Sequence, residues 1–146
     1  MKQILCLILA LTVNFGYGAI IMERISTSNS VPMVVDKIKH ILDDKHIKLF
    51  ALFNQAAEAK QVGLTLPPTQ LIIFGDPKVG TLLMQEDPAV ALELPLKILV
   101  WQEGKKTWIG YQLPSSLGKT YHLEQHKAIL HKMDLLFADI AKTAAK

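Results

Sequence analysis

The segment Gly75-Asp76-Pro77-Lys78-Val79-Gly80-Thr81 brings a carboxylate, an ammonium and a hydroxyl together where a strand ends and a helix begins. Free amides at a helix start, beside a lysine, can hold an anion. The Gly-Lys-Thr order of a Walker A loop is missing, so this is not a nucleotide-phosphate loop of that kind. Ordinary turn chemistry explains the same residues: Gly75 permits unusual backbone angles, Asp76 caps and Pro77 takes the first helical position. A cleft bordered by Asn54, Lys60, Asp76, Lys78 and Thr81, with Lys97 in reach, is the candidate site for a small ligand or a protein partner. The alternative is an enzyme on a small anionic substrate, with Lys78 and Lys97 orienting charge and Asp76 as base. No residue is assigned as catalytic, so the choice between binder and enzyme stays open.

The other reactive side chains form no recognisable constellation. His122 and His126 would share a face if the last helix began early, which is a metal-ligand spacing, but no Glu follows His122 to complete a zinc-protease pattern. His131, His40 and His46 lie elsewhere, Lys119 and Lys127 would repel a cation, and solvated helix-face histidines are the expectation. Met22, Met33, Met84 and Met133 are scattered as core fillers are, so neither a metal nor another cofactor is expected. Ser115-Ser116 after Pro114 read as a helix cap, and no nucleophile, base and acid can be ordered into a triad. Trp101 and Trp108 flank the turn Glu103-Gly104-Lys105 as a cross-strand pair with Tyr111 nearby; a ligand-binding aromatic wall is the alternative reading.

The elements that must position these groups follow from periodicity. Glu23 to Thr27 reads as a short strand, and Ser28-Asn29-Ser30 as a hydroxyl or amide cap for a helix whose buried stripe is Val31, Val34, Val35, Ile38, Ile41 and Leu42. Ile47 to Phe53 reads as a strand, after which Asn54 caps a helix from Gln55 to Val62 that Gly63 ends. Pro67-Pro68 leads into a buried strand, Thr69 to Phe74, followed by a helix from Pro77 to about Gln85 that Asp87-Pro88 breaks. Leu96 to Gln102 and Lys106 to Gln112 make a hairpin. Ile129, Met133, Leu136, Phe137, Ile140 and Ala144 mark an amphipathic closing helix within 124–145. The expected fold class is α+β: a two-layer sandwich of a mixed, mostly antiparallel sheet with helices mainly on one face.

Taken together, the blocks Asn54-Gln55-Ala56-Ala57-Glu58-Ala59-Lys60, Pro68 to Thr81 and Leu94-Pro95-Leu96-Lys97 resemble the domain of unknown function 302 family over about residues 23–123. The resemblance implies a compact α+β domain that forms a homodimer, with no activity assigned to the family as a whole. Relatives often carry an acidic or amide residue followed by histidine where Asn54 and Gln55 stand. The titratable pair is absent here, so acid–base work at that place is not expected. In the dimer, some of Val79, Leu82, Leu83, Val90 and Leu92 are expected to meet a second subunit, at the sheet edge or along 77–92.

With 146 residues, 50% hydrophobic content and 20% charged residues, the chain suits one globular domain over 20–146 and excludes a disordered polymer. The net charge of +3 is spread without a basic patch, so nucleic acid is not an expected partner. Lys2, the apolar run from Ile4 to Val13 and the small residues Gly16-Tyr17-Gly18-Ala19 read as a cleaved secretory signal over 1–19, placing the protein in the periplasm or outside the cell. The alternative is an uncleaved membrane anchor over residues 4–22, the one route to a membrane partner. The lone Cys6 lies inside that leader, so the mature chain would hold no disulfide and no thiol nucleophile.

Overall fold

The computed structural model describes residues 22–146, and the leader, its cleavage site, Cys6 and all of the alternative anchor but Met22 lie outside them. Five strands form one sheet in the order β1-β5-β4-β3-β2. They are β1 (Met22–Thr27), β2 (Lys48–Asn54), β3 (Thr69–Gly75), β4 (Leu96–Glu103) and β5 (Lys106–Gln112). Every neighbouring pair is antiparallel, so the α+β expectation holds with no parallel pair in the sheet. Helices α1 (Val31–Asp44) and α5 (Lys127–Ala145) lie against one another over one face. Between them and the sheet sits the core, with Val34, Ile38, Phe137 and Ile140 meeting Ile72, Phe74, Ile98, Val100 and Ile109. The Phe137 ring stacks on Tyr111 at 4.8 Å and meets Phe74 edge-on at 5.6 Å, locking α5 onto β3 and β5.

Alternation across the strands decides which residues face away from the helices. By register that second face carries Phe53, Leu71, Leu99, Gly110 and Arg24 in one row, with Thr69, Trp101, Trp108 and Ser26 in the next. Trp101 and Trp108 are directly paired and stacked, 6.4 Å between centroids. Tyr111 belongs to the opposite, helix-covered face and is not part of that aromatic group, because its position in β5 is odd relative to Trp108.

Among the described residues three shorter α-helices, α2 (Gln55–Gln61), α3 (Pro77–Glu86) and α4 (Leu117–Thr120), and three 3-10 turns, Pro88–Leu92, Pro114–Ser116 and Glu124–His126, complete the elements. Asn54 caps α2, its Oδ1 accepting from the Ala57 amide at 3.0 Å, and Asp76 caps α3, its Oδ1 accepting from the Lys78 amide at 2.8 Å. Two expected caps are replaced. Ser30 occupies the cap position of α1 but makes no side-chain bond, Pro32 having removed one of the amides it could serve. Ser116 donates to the Leu113 carbonyl, and the Ser115 amide is taken by Asp134 of α5. Leu83 and Val90, two of the residues expected to offer a dimer contact, are fully buried in this chain's own core, leaving Leu82 and Leu92 outside.

Candidate functional site

β4 and β5 pair only from Leu99↔Gly110 to Glu103↔Lys106. Below that point Leu96, Lys97 and Ile98 pair with β3 alone, while Tyr111 and Gln112 pair with β1 alone. The two strands therefore part, and a hollow of about 410 Å³ opens between them, in the size range of small-ligand pockets. Residues of both sheet faces line it because it passes between strands: Leu71, Leu99 and Gly110 from the open face, Leu96, Tyr111 and Phe137 from the core side.

Few polar groups reach this cleft. Glu93, Lys97 and Gln112 line it, and among its lining residues there is no Ser, Thr, Cys or His. The Lys97 ammonium donates to the Glu93 carbonyl at 2.8 Å and the Pro95 carbonyl at 3.1 Å, which fixes the head of a flexible side chain and leaves one of its three donors over. The Glu93 carboxylate accepts from the Tyr121 hydroxyl at 3.0 Å. That hydrogen bond is the main cause holding the Tyr121 phenol above its ordinary pKa, and burial pushes the Tyr111 phenol up. The result is an apolar slot with one tethered cation at its rim and one carboxylate already engaged.

The other side of the 91–97 segment borders a second hollow of about 320 Å³, walled by Phe50, Pro77, Met84, Leu94 and Met133 and reached by Asp76 and Thr81. The sequence candidates are thus spread over several places. Asp76 and Thr81 share this second hollow, and the Thr81 hydroxyl donates to the Pro77 carbonyl at 2.7 Å. Lys97 lines the first hollow. Lys78 and Lys60 are exposed on α3 and α2 and line neither. Asn54 pairs with Gln70 at the far end of β3 from Gly75, so Asn54 and Asp76 stand at opposite ends of the sheet and border no common cleft. The histidine pair is also separated: α5 begins at Lys127, His122 sits in a turn with φ 51°, and His126 lies 3.5 Å from Glu86. Among the described residues no group of three or more His, Cys, Asp or Glu could hold a metal ion. Sequence reasoning missed Glu93, Tyr121 and Gln112, which no spacing rule could join to Lys97.

A family model described as "Domain of unknown function DUF302" matches residues 23–140, running through most of α5 and beyond the 23–123 legible from motifs. Two curated relatives are the fluoride-specific ion channel FluC 1 of Brucella suis biovar 1 (strain 1330) and FluC 2 of Brucella melitensis biotype 1 (strain ATCC 23456). Each is 34% identical over 103 residues, which is 70% of this chain but 41% and 38% of the relatives. The chain spans about two fifths of the length of the curated relatives it matches. Among solved structures, an uncharacterized conserved DUF302 protein from Bacillus stearothermophilus superposes with a TM-score of 0.76 at 18% identity, covering 86% of this chain and 98% of that one.

Proposed function

The chain belongs to the DUF302 family, and from that premise we propose an exported, homodimeric binding domain holding a small, mainly apolar molecule in the cleft between β4 and β5. The observation that carries the reading is the parting of these strands beside Lys97, whose ammonium is tethered at the cleft rim with a donor to spare. The walls select an apolar body. The rim selects the head: with Glu93 beside Lys97, a single carboxylate or a neutral acceptor suits it better than a multiply charged anion.

The enzyme alternative finds less support. Asp76 is engaged by the Lys78 amide, the Lys78 side chain is exposed, and Lys97 lines the other hollow, so the three groups do not converge on one reacting centre. The channel activity named for the Brucella relatives belongs to much longer proteins. Among the described residues of this chain no helix is long and apolar enough to cross a membrane, and fluoride conduction is not part of the proposal.

Native mass spectrometry of the protein purified from its host tests the binding claim. A retained mass of small-molecule size, lost in Lys97→Met, is expected; a wild-type protein carrying nothing from host extract opposes it. Export is tested by amino-terminal sequencing of the envelope fraction. The chain should begin at Ala19 or Ile20, and retention of Met1 on membrane-bound protein would establish the anchor instead.

A further inference from the structure

We propose that the second hollow, walled by α3, β2, α5 and the 91–97 segment, is a separate binding site for a neutral phenol: an aromatic ring carrying one hydroxyl donor. Leu96 alone lines both hollows, and this site is independent of the slot at Lys97.

Two glycines keep this hollow open. Gly80 lies inside α3, where alanine would favour the helix by about 1 kcal/mol. A Cβ there would meet only the Leu94 Cδ1 and Met84 Cε atoms, both at 3.9 Å, so the fold has room for the side chain it lacks. Gly75, at the end of β3, is similar: a Cβ would stand 3.7 Å from the Phe50 ring and 3.9 Å from the Pro95 Cβ. Neither has the left-handed backbone that favours glycine. Packing would accept a larger residue at both places, and what the glycines leave instead is a hollow of about 320 Å³.

The walls select a ring. The Met84 and Met133 thioethers and the Phe50 ring line the hollow, and sulfur and aromatic surfaces both gain from contact with another ring. The mouth selects the polar group. Asp76 is the one charged lining residue, and Lys48 sits 5.0 Å over the Phe50 ring without lining the hollow. A ligand carboxylate would therefore meet like charge. The start of α3 does not reverse this, because Asp76 already caps it, accepting from the Lys78 amide at 2.8 Å. The second Asp76 carboxylate oxygen is left as an acceptor, as is the Thr81 hydroxyl oxygen, whose own proton goes to the Pro77 carbonyl. Both call for a donor. A phenol supplies one and is uncharged at neutral pH, so this site prefers the opposite head group to the one that suits Lys97.

Methyl NMR of the chain grown with methyl-labelled methionine tests the proposal, since Met84 and Met133 line this hollow, Met22 lines the first and Met33 is exposed on α1. p-Cresol should shift the Met84 and Met133 methyls saturably, and p-toluate, of the same shape but ionised, should bind there at least tenfold more weakly. Asp76→Asn keeps a cap acceptor and removes the charge, so the preference for p-cresol should shrink at least fivefold. Gly80→Leu builds a side chain into the hollow and should abolish the shifts while keeping the wild-type far-ultraviolet spectrum. Should Gly80→Leu fail to fold, the two probes on wild type still decide. No saturable shift at Met84 and Met133, shifts at Met22 alone, or equal affinity for p-toluate would each overturn the proposal. So would a preference unchanged in Asp76→Asn, or p-cresol binding that persists in folded Gly80→Leu. Lys97→Met should leave p-cresol binding at Met84 and Met133 unchanged, which separates failure here from failure of the slot; binding lost in Lys97→Met would overturn the claim of a separate site.

Discussion

Trp101 lies across Gly110: a Cβ on Gly110 would stand 2.8 Å from the Trp101 Cζ3 atom and 3.1 Å from Cη2. Gly110 also pairs with Leu99 at the last rung before β4 and β5 part. The indole is therefore held flat at the head of the cleft by an absent side chain. Gly110→Ala must lift the ring, at about 1–3 kcal/mol for overpacking a fitted site. Chemical denaturation should report that loss, together with a changed tryptophan emission.

Leu83 has no exposed surface, whereas Leu82, its neighbour on α3, is 47% exposed. Leu83→Ala should cost about 2–5 kcal/mol, and Leu83→Asp should leave an unfolded chain. Leu82→Asp should stay within about 0.5 kcal/mol of wild type, as surface substitutions usually do. Thermal melts of the three variants check this order.

Asn54→Ala removes the acceptor for the Ala57 amide at the start of α2, which contributes about 1 kcal/mol in typical caps. Because Asn54 lines neither hollow, ligand retention should not change, while Asn54→Asp should restore most of the stability. Paired denaturation and native mass measurements separate the two effects.

Asp139 of α5 meets Lys45, just beyond α1, at 2.8 Å, and the hydrogen bond and charge of Lys45 hold its carboxyl below the ordinary carboxylate value. With the folded value depressed, the pair's contribution is fully present above about pH 4 and is lost as pH falls through the folded value. Both side chains are well exposed, so solvent screening keeps the contribution below about 1 kcal/mol. Asp139→Asn should flatten that part of the acid limb of a stability–pH curve and leave the slope above pH 6 unchanged.

Local signals in the chain carry most of this fold. The stripe Val31 to Leu42 specifies α1, the apolar run into Gly75 specifies β3, and Asn54 and Asp76 announce the caps they make. The closing helix was legible too, although Leu130 and Ala141 join its buried side and Ile129 is only half-buried. Two features depended on pairing between distant strands. Asn54 and Asp76 look like neighbours around β3, but antiparallel register puts Asn54 at its start and Asp76 past its end. The cleft arises because β4 and β5 follow different partners below Leu99, and no residue type marks where a ladder stops. Leu83 misled for a related reason: the count of apolar residues over 77–92 does not reveal that Leu83 of α3 and Val90 of the 3-10 turn after it both point into the same core.

The central claim is that the parted strands form a binding slot governed by Lys97. Amide shift mapping with straight-chain carboxylates from hexanoate to dodecanoate addresses it most directly. The account predicts saturable shifts grouped at Glu93, Lys97, Leu99 and Gly110 to Leu113, weakened at least tenfold in Lys97→Met. Shifts grouped instead at Phe50, Asp76 and Met84, or equal affinity in Lys97→Met, would contradict it.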